Sequence, residues 1–249
     1  MAVKLSTKTN TSSWTSVFPT ETIQSQAQSL KFMRKFAAVG KPVNSSFNHN
    51  RSGNLHFYQL LGISNILYLR SELPDDTFST ISIDGFRVTM LKNSENPVAS
   101  QICTTTANAV KALKDGYLKE LQMVFYPDAG SEEVIESYKF SFELPKDRMS
   151  STLDSDGDGT VSHELLKKST LQLLRSMSTY MQTSKALPAS AQMNFRIFYT
   201  DDVPKDYNPP GFISLSPKSY GTKFLETPPT PVNFGSIATK WHKVDVTMQ

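Results

Sequence analysis

The sequence predicts an α+β fold in which helices pack on one face of an antiparallel sheet. Apolar and polar side chains alternate at residues 121–126, 138–144 and 193–199, which is the pattern of strands with one buried face. Residues 55–69 are apolar on nearly every side, as expected for a buried central helix. Residues 162–183 carry an apolar stripe at helical spacing, which predicts an amphipathic helix between the second and third strands.

The N-terminal part predicts a polar tail followed by a helix. Residues 1–19 contain few apolar side chains, so we expect a flexible N-terminal tail. Thr20 is a suitable N-cap, and an apolar face at helical spacing follows it as far as Ala37. Gly40 and the proline that soon follows it end this predicted helix.

The middle of the chain predicts alternating strands and helices. Residues 86–91 alternate as a short strand, and Asn96 before a proline predicts an N-cap for a helix that ends near Lys114. The strands at residues 121–126 and 138–144 are separated by the turn-forming residues 127–130, which predicts a hairpin.

The stretch Tyr199–Phe212 ends the third strand and concentrates prolines and acidic side chains. Proline fixes its own φ and restricts the residue before it, so this stretch predicts a stiff exit from the sheet. Beyond it, residues 213–249 are rich in proline and glycine and alternate only at Trp241–Thr247. Long connectors of this kind usually carry function.

Composition argues against several classes of function. The net charge of +3 over 249 residues comes without a run of basic side chains, so direct nucleic-acid binding is not indicated. No apolar run approaches the roughly 20 residues that a membrane span requires, and the polar N-terminus lacks the apolar region of a signal peptide. Cys103 and the four scattered histidines form no nucleophile or metal motif. We therefore expect neither an enzyme nor a cofactor.

An acidic loop begins in the manner of a calcium-binding EF-hand. Asp154, Asp156 and Asp158 match the ligands at positions 1, 3 and 5 of that motif. Position 12 requires a bidentate glutamate, but Leu165 stands there and Glu164 comes one residue early. We interpret the loop as an acidic surface segment that caps the next helix, and keep a calcium-binding regulatory protein as an alternative function.

Several stretches together resemble the HORMA domain family, and in particular its nematode-like meiotic chromosome-axis branch. The most specific of them is Asp206–Phe212 at its spacing after the third strand. The stretches that carry the resemblance are Ile63–Arg70, Leu73–Phe78, Tyr117–Lys119, Tyr138–Phe142, Tyr180–Thr183 with Leu187 and Pro188, Phe198–Val203 with Asp206–Phe212, and Phe234–Thr239.

The resemblance implies three central helices packed on a three-stranded antiparallel sheet, with a C-terminal segment called the safety belt. In the family this belt wraps a short peptide, the closure motif, which adds a strand to the sheet. The implied partners are closure-motif peptides of other meiotic axis proteins, other HORMA proteins and a remodelling AAA+ ATPase, with chromatin association indirect. The implied location is the nucleus, on the meiotic chromosome axis. A checkpoint or DNA-repair HORMA adaptor is a second alternative.

Two departures from the family pattern set further expectations. Residues 40–62 separate two halves of a helix that is continuous in the family, so we expect an insert there within a core at residues 20–212. Residues 213–249 are expected to form the belt. No closure motif follows them in this chain, so self-assembly through the C-terminus is not expected. The residues expected to bind peptide, in the belt and at its start, are Tyr207, Pro209, Pro210, Gly211, Phe212, Tyr220, Phe224, Trp241 and Lys243.

Calorimetry separates the calcium alternative from the peptide-binding hypothesis. Because the glutamate of the acidic loop is out of register, we expect no heat when the protein is titrated with calcium up to millimolar concentration. Saturable heat that disappears in the Asp154→Ala variant would instead support the calcium-binding protein.

Overall fold

A computed structural model describes residues 23–37, 61–92, 94–143, 161–214, 222–226 and 230–249 and has the predicted α+β architecture. Its helices are α1 (Gln26–Ala37), α2 (Leu61–Arg70), α3 (Pro97–Lys114) and α4 (His163–Thr183). Its strands are β1 (Phe78–Ile83), β2 (Phe86–Leu91), β3 (Leu118–Tyr126), β4 (Glu136–Glu143), β5 (Gln192–Tyr199), β6 (Val232–Ala238) and β7 (Lys243–Met248).

The main sheet is antiparallel and has the strand order β5-β3-β4-β7-β6. The three strands predicted from alternation are adjacent in it, so that prediction is confirmed. The sheet is wider than the three strands expected, because the C-terminal segment adds β6 and β7 beside β4. Strands β1 and β2 form a separate hairpin that packs near α2.

Two strands, β1 and β6, were not predicted from the sequence. Strand β1 is joined to β2 by Asp84 and Gly85, whose φ angles of 49° and 76° suit a tight hairpin turn. Strand β6 is irregular at Gly235, where φ is 118° and the register with β7 shifts, so its alternation is broken. Trp241, expected at the start of the last strand, lies in the turn before β7.

Local capping explains where the helices begin. Asn96 accepts a hydrogen bond from the Ala99 N–H at 3.0 Å, which confirms the predicted N-cap of α3. Helix α1 begins at Gln26 rather than at Thr20. The Gln28 amide there accepts hydrogen bonds from the N–H groups that precede the helix, as a capping box does. Thr20 and residues 40–60 of the expected insert lie outside the described residues, and the last two residues of that expected insert, 61 and 62, belong to α2.

Helix α2 is the central helix that the sequence predicted, since its residues 61–67 are all buried. Gly62 permits its close approach to the sheet, because a Cβ there would lie 2.8 Å from the ring of Phe140 on β4. None of the helices in the described ranges is long and apolar enough to cross a membrane.

A buried ion pair joins α2 to β4. Two nitrogens of Arg70 donate to the two carboxylate oxygens of Glu136 at 2.8 and 2.7 Å, and both side chains are almost fully buried. Tyr138 donates its hydroxyl to the same carboxylate at 3.0 Å, and Arg70 also donates to the Lys185 carbonyl. The bidentate geometry and the extra hydrogen bonds offset the cost of burying two charges.

Removing one partner of this pair is expected to destabilise the fold strongly. Arg70→Met keeps most of the side-chain volume but leaves the Glu136 carboxylate buried without its cation, so we expect a loss of about 3–5 kcal/mol. Chemical unfolding of the wild type and the variant measures the difference. The control is Lys243→Met, which removes exposed ion pairs and should cost less than about 1 kcal/mol. Similar losses in both variants would contradict the prediction.

Candidate functional site

Strand β5 is an edge strand, and its outer side has no strand partner among the described residues. We call this side the open edge. Alternate side chains of β5, namely Met193, Phe195 and Ile197, face the core but are only half-buried. An apolar face that stays partly exposed at an unpaired edge is what an added strand would cover.

Two hydrogen bonds show which backbone groups point to the open edge. The Phe195 N–H donates to the side-chain oxygen of Asn194 at 3.1 Å rather than to β3. The Thr200 N–H, an odd number of residues further on, donates to the Tyr117 carbonyl on the β3 side at 2.8 Å. Backbone groups of successive strand residues alternate in direction. The N–H and C=O groups of Met193, Phe195 and Ile197 therefore point to the open edge.

Residues 200–212 leave the end of β5, and we call them the hinge segment. Tyr207 in the middle of this segment attaches it to the core. Tyr207 packs edge to face against Tyr117 and Tyr199, with centroid distances of 4.9 and 5.6 Å. Its hydroxyl donates to the Asp115 carboxylate at 2.9 Å. Burial, together with this hydrogen bond and the nearby negative charge, raises the pKa of Tyr207 above its ordinary value.

The second half of the hinge segment runs along α3. Asn108 of α3 donates to the Pro210 carbonyl at 2.9 Å, and Pro209 is buried. A turn closed by the Phe212 N–H and the Pro209 carbonyl needs Gly211, whose φ is 86°. Phe212, which was expected to bind peptide, packs on the core.

Residues 222–225, which we call the belt clasp, pair with Val134 in the loop between β3 and β4. The Val134 N–H donates to the Lys223 carbonyl at 2.7 Å, and the Leu225 N–H donates to the Val134 carbonyl at 3.0 Å. Phe224 forms an isolated parallel bridge with Val134. Lys223 also pairs with Glu133 at 2.6 Å.

Arg196 connects the belt clasp to the sheet. It lies on the face of β5 opposite the core-facing side chains and donates to the Tyr126 hydroxyl at 2.6 Å, with its guanidinium 5.8 Å from that ring. It also contacts the Thr222 hydroxyl at 3.4 Å. The hinge segment therefore leaves β5 at its C-terminal end, whereas the belt clasp contacts β5 through Arg196 and the loop between β3 and β4 through Val134.

The remaining expected site residues are in other places. Trp241 is half-buried in the β6–β7 turn, and Lys243 pairs with Glu143 and Asp245, so both lie in the hairpin beyond β4. A contact between either residue and a peptide stays a prediction. The remaining expected residues, Tyr220 of the belt and Asp154, Asp156 and Asp158 of the acidic loop, lie outside the described residues.

A buried polar cluster fixes the turn of this hairpin. The Ser29 hydroxyl of α1 lies 2.5 Å from the Thr239 hydroxyl and 2.6 Å from Nδ1 of His242. Thr239 in turn accepts the backbone N–H groups of Trp241 and His242. The first described helix and the C-terminal hairpin are therefore joined by hydrogen bonds that are shielded from water.

Sequence reasoning missed Asn194, Arg196 and Asn108 as residues of the site. Alternation shows which face of a strand is buried. It does not show which other strand, if any, pairs with each of its two edges. The only available signal was the polar outer face of β5 in an otherwise apolar stretch.

Comparison with known sequences identifies one family. A model of the HORMA domain family matches residues 60–242. Mouse HORMA domain-containing protein 1 is 29% identical over 233 residues, which cover 91% of this chain and 53% of that protein. The chain thus spans about half the length of the curated relatives it matches.

Solved structures with the same fold include two from Caenorhabditis elegans. HTP-2 bound to the HIM-3 closure motif has a TM-score of 0.70 and 22% identity, covering 94% of this chain and 95% of that one. HTP-1 bound to HTP-3 motif-1 has a TM-score of 0.71 and 20% identity, covering 96% of both chains. These similarities support the fold.

Removing the Tyr207 hydroxyl should weaken the attachment of the hinge segment to the core, and the size of this effect should depend on pH. Tyr207→Phe loses one hydrogen bond, so we expect unfolding free energy to fall by about 1 kcal/mol at neutral pH. The raised pKa means that the folded state holds this proton more tightly. The contribution is therefore fully present below the ordinary tyrosine pKa of about 10 and is lost as pH rises further.

Urea unfolding between pH 7 and pH 11 measures this effect. The difference between wild type and Tyr207→Phe should shrink above about pH 10. The control is Tyr68→Phe, which also removes a tyrosine hydroxyl. The Tyr68 ring is exposed, and the ring contact described for it is with Phe78. A difference that stays constant over the whole range would contradict the assigned role of the hydroxyl.

Proposed function

The chain belongs to the HORMA domain family, and on that premise we propose that it is a non-enzymatic module that binds a short peptide along the open edge of β5. The observation that carries this proposal is the open edge of β5, from which the hinge segment leaves and which the belt clasp contacts through Arg196. A strand added there would lie where the C-terminal segment can hold it.

The open edge offers a bound peptide both backbone hydrogen bonds and apolar surface for its side chains. Three residues, Met193, Phe195 and Ile197, direct their backbone groups outward. An added strand would pair with them and would replace Asn194 as the partner of the Phe195 N–H. Their half-buried side chains would lose further apolar surface to water when the strand binds. Main-chain bonds of this kind give affinity, and side-chain contacts give specificity.

A peptide bound in this way would exchange slowly. The chain is fastened at the hinge segment and again at the belt clasp, so at least one fastening must open before a peptide enters or leaves. Binding that requires a conformational change has a lowered association rate. Slow dissociation follows for the same reason, and long-lived complexes suit a structural assembly.

We place this activity on the meiotic chromosome axis in the nucleus, where it would support homologue pairing, synapsis and crossover control. The support is the HORMA family membership, together with neighbours of the same fold that are bound to closure-motif peptides. The proposed partners are closure motifs of axis proteins and other HORMA proteins. A AAA+ ATPase is the proposed remodelling partner, and association with chromatin would be indirect.

A proline at the open edge tests the proposal. Ile197→Pro removes one outward N–H and places a ring where an added strand must approach, while the bonds to β3 come from the neighbouring residues. Ile197→Ala is the matched control, since it loses the same apolar contacts but keeps the N–H. We expect the proline variant to bind at least about tenfold more weakly than the alanine variant.

The measurement is fluorescence anisotropy with peptides tiled across the unstructured regions of axis proteins from the same organism. Thermal unfolding of both variants confirms that they are folded. Binding by some peptide, lost selectively in Ile197→Pro, supports the proposal. Absence of binding by every peptide, or equal binding by the two variants, would contradict it.

A further inference from the structure

The polar side chains on the outer face of β5 make hydrogen bonds in three different directions. Gln192 donates to a carbonyl of the turn before the strand at 3.3 Å, and Arg196 donates to the Tyr126 hydroxyl on β3 at 2.6 Å. Asn194 bonds to the next residue of its own strand, because its side-chain oxygen accepts the Phe195 N–H at 3.1 Å. Asn194 thus occupies a hydrogen-bonding group of the open edge.

The bond between Asn194 and the Phe195 N–H competes with strand pairing. A short amide side chain that bonds to a neighbouring backbone group offers that group an alternative to the ladder of a sheet. The carbonyl of an added strand would need the same N–H, so it must take the place of the Asn194 oxygen. The Asn194 side chain is exposed, so it can rotate away into water. An added strand can therefore displace it, at the cost of one hydrogen bond.

Displacement changes what the Asn194 amide can bind. A backbone N–H only donates, so in the free protein the amide oxygen faces Phe195 and the NH2 group is turned away from it. Once a peptide has taken the Phe195 N–H, the amide can bond to the peptide instead. Opposite residues of an antiparallel pair have Cβ atoms about 4.5–5.5 Å apart, so the nearest peptide side chain is that of the residue opposite Asn194. An acceptor on that side chain would receive the amide hydrogens.

We propose that Asn194 determines which peptides the open edge accepts. It occupies the Phe195 N–H when no peptide is bound, and it donates to the peptide residue opposite it once a strand has displaced it. The preferred peptide is an extended segment with a short hydrogen-bond acceptor opposite Asn194, such as Asp, Asn, Ser or Thr. Apolar residues stand on either side of that position, because they lie beside the half-buried Met193 and Phe195.

This inference rests on the proposed binding of peptide at the open edge, and it adds a chemical requirement for one position of the peptide. A peptide without an acceptor there loses the Asn194 bond and gains none, so it should bind Asn194→Ala about fivefold more tightly than the wild type. A peptide with an acceptor recovers a bond and should bind the two proteins equally. The wild type therefore discriminates between the two peptides, and the variant does not.

A double-mutant cycle between protein and peptide tests the selection. Each position of the tightest peptide found by tiling is replaced in turn by Ala and by Asn, and fluorescence anisotropy gives both Kd values for the wild type and for Asn194→Ala. The ratio of the two Kd values should differ between the proteins by about fivefold at one peptide position and should agree at the others.

The matched control is Gln192→Ala, which truncates another exposed polar side chain on the same face of β5. At the peptide position that responds to Asn194→Ala, this control should give the wild-type ratio. Both substitutions replace exposed side chains, and thermal unfolding confirms that the variants are folded.

Hydrogen exchange of the free protein tests the first role of Asn194 without any peptide. The Phe195 amide points to the open edge, and its described partner is the Asn194 oxygen. We expect this amide to exchange about fivefold faster in Asn194→Ala than in the wild type, and at the wild-type rate in Gln192→Ala. The Arg196 amide, which points to β3, serves as the internal reference and should be unaffected.

A changed Kd ratio at one peptide position, together with faster exchange at Phe195, supports the inference. Agreement of the ratios at every position overturns it, and so does equal exchange of the Phe195 amide in the wild type and Asn194→Ala. In either of these two cases the proposed function still stands if some peptide binds and is lost in Ile197→Pro. If no peptide binds, the proposed function fails and the selection by Asn194 fails with it.

Discussion

The pairing of β7 with β4 is the constraint on which the rest of the C-terminal part depends. A sheet has two edges, and β7 occupies the one beside β4 through six residue pairs, among them Phe140 with Val246. Among the strands in the described ranges, this leaves β5 as the core strand with a free side. Because β5 ends at one edge and β6–β7 lies at the other, the chain between them must cross the molecule. The long connection from β5 to β6 is thus a consequence of where the hairpin pairs.

The hairpin is fixed in that place from two directions. On one side, β4 is tied to the buried helix α2 by Arg70 and Glu136, and Gly62 lets α2 lie close to Phe140. On the other side, His242 in the hairpin turn is hydrogen-bonded to Ser29 of α1. Buried polar groups cost free energy when their partners are removed. Displacing the hairpin would therefore also disturb α1.

The sequence alone predicted the face of each core strand but not the edge at which the site lies. Alternation identified β3, β4 and β5, and Asn96 marked the start of α3, because burial and capping act over a few neighbouring residues. Asn194 and Arg196 could not be identified, because their roles depend on which strand lies beside β5, and that pairing joins distant parts of the chain. Strand β6 was missed for a local reason, the bulge at Gly235.

An unpaired edge with half-buried apolar side chains is a liability in a soluble protein, since it invites pairing with other chains. Here the Phe195 N–H is already engaged by Asn194, and Arg196 keeps the outer face of β5 polar and bonded to Tyr126. These side chains make pairing of β5 with an unrelated strand less favourable, but they do not block the edge. The hinge segment, fastened at the C-terminal end of β5, and the belt clasp, in contact with Arg196, then limit which chains can reach it. The arrangement that would hold a peptide in place is therefore also the one that protects the edge when no peptide is bound, which accounts for a closed clasp in the free protein.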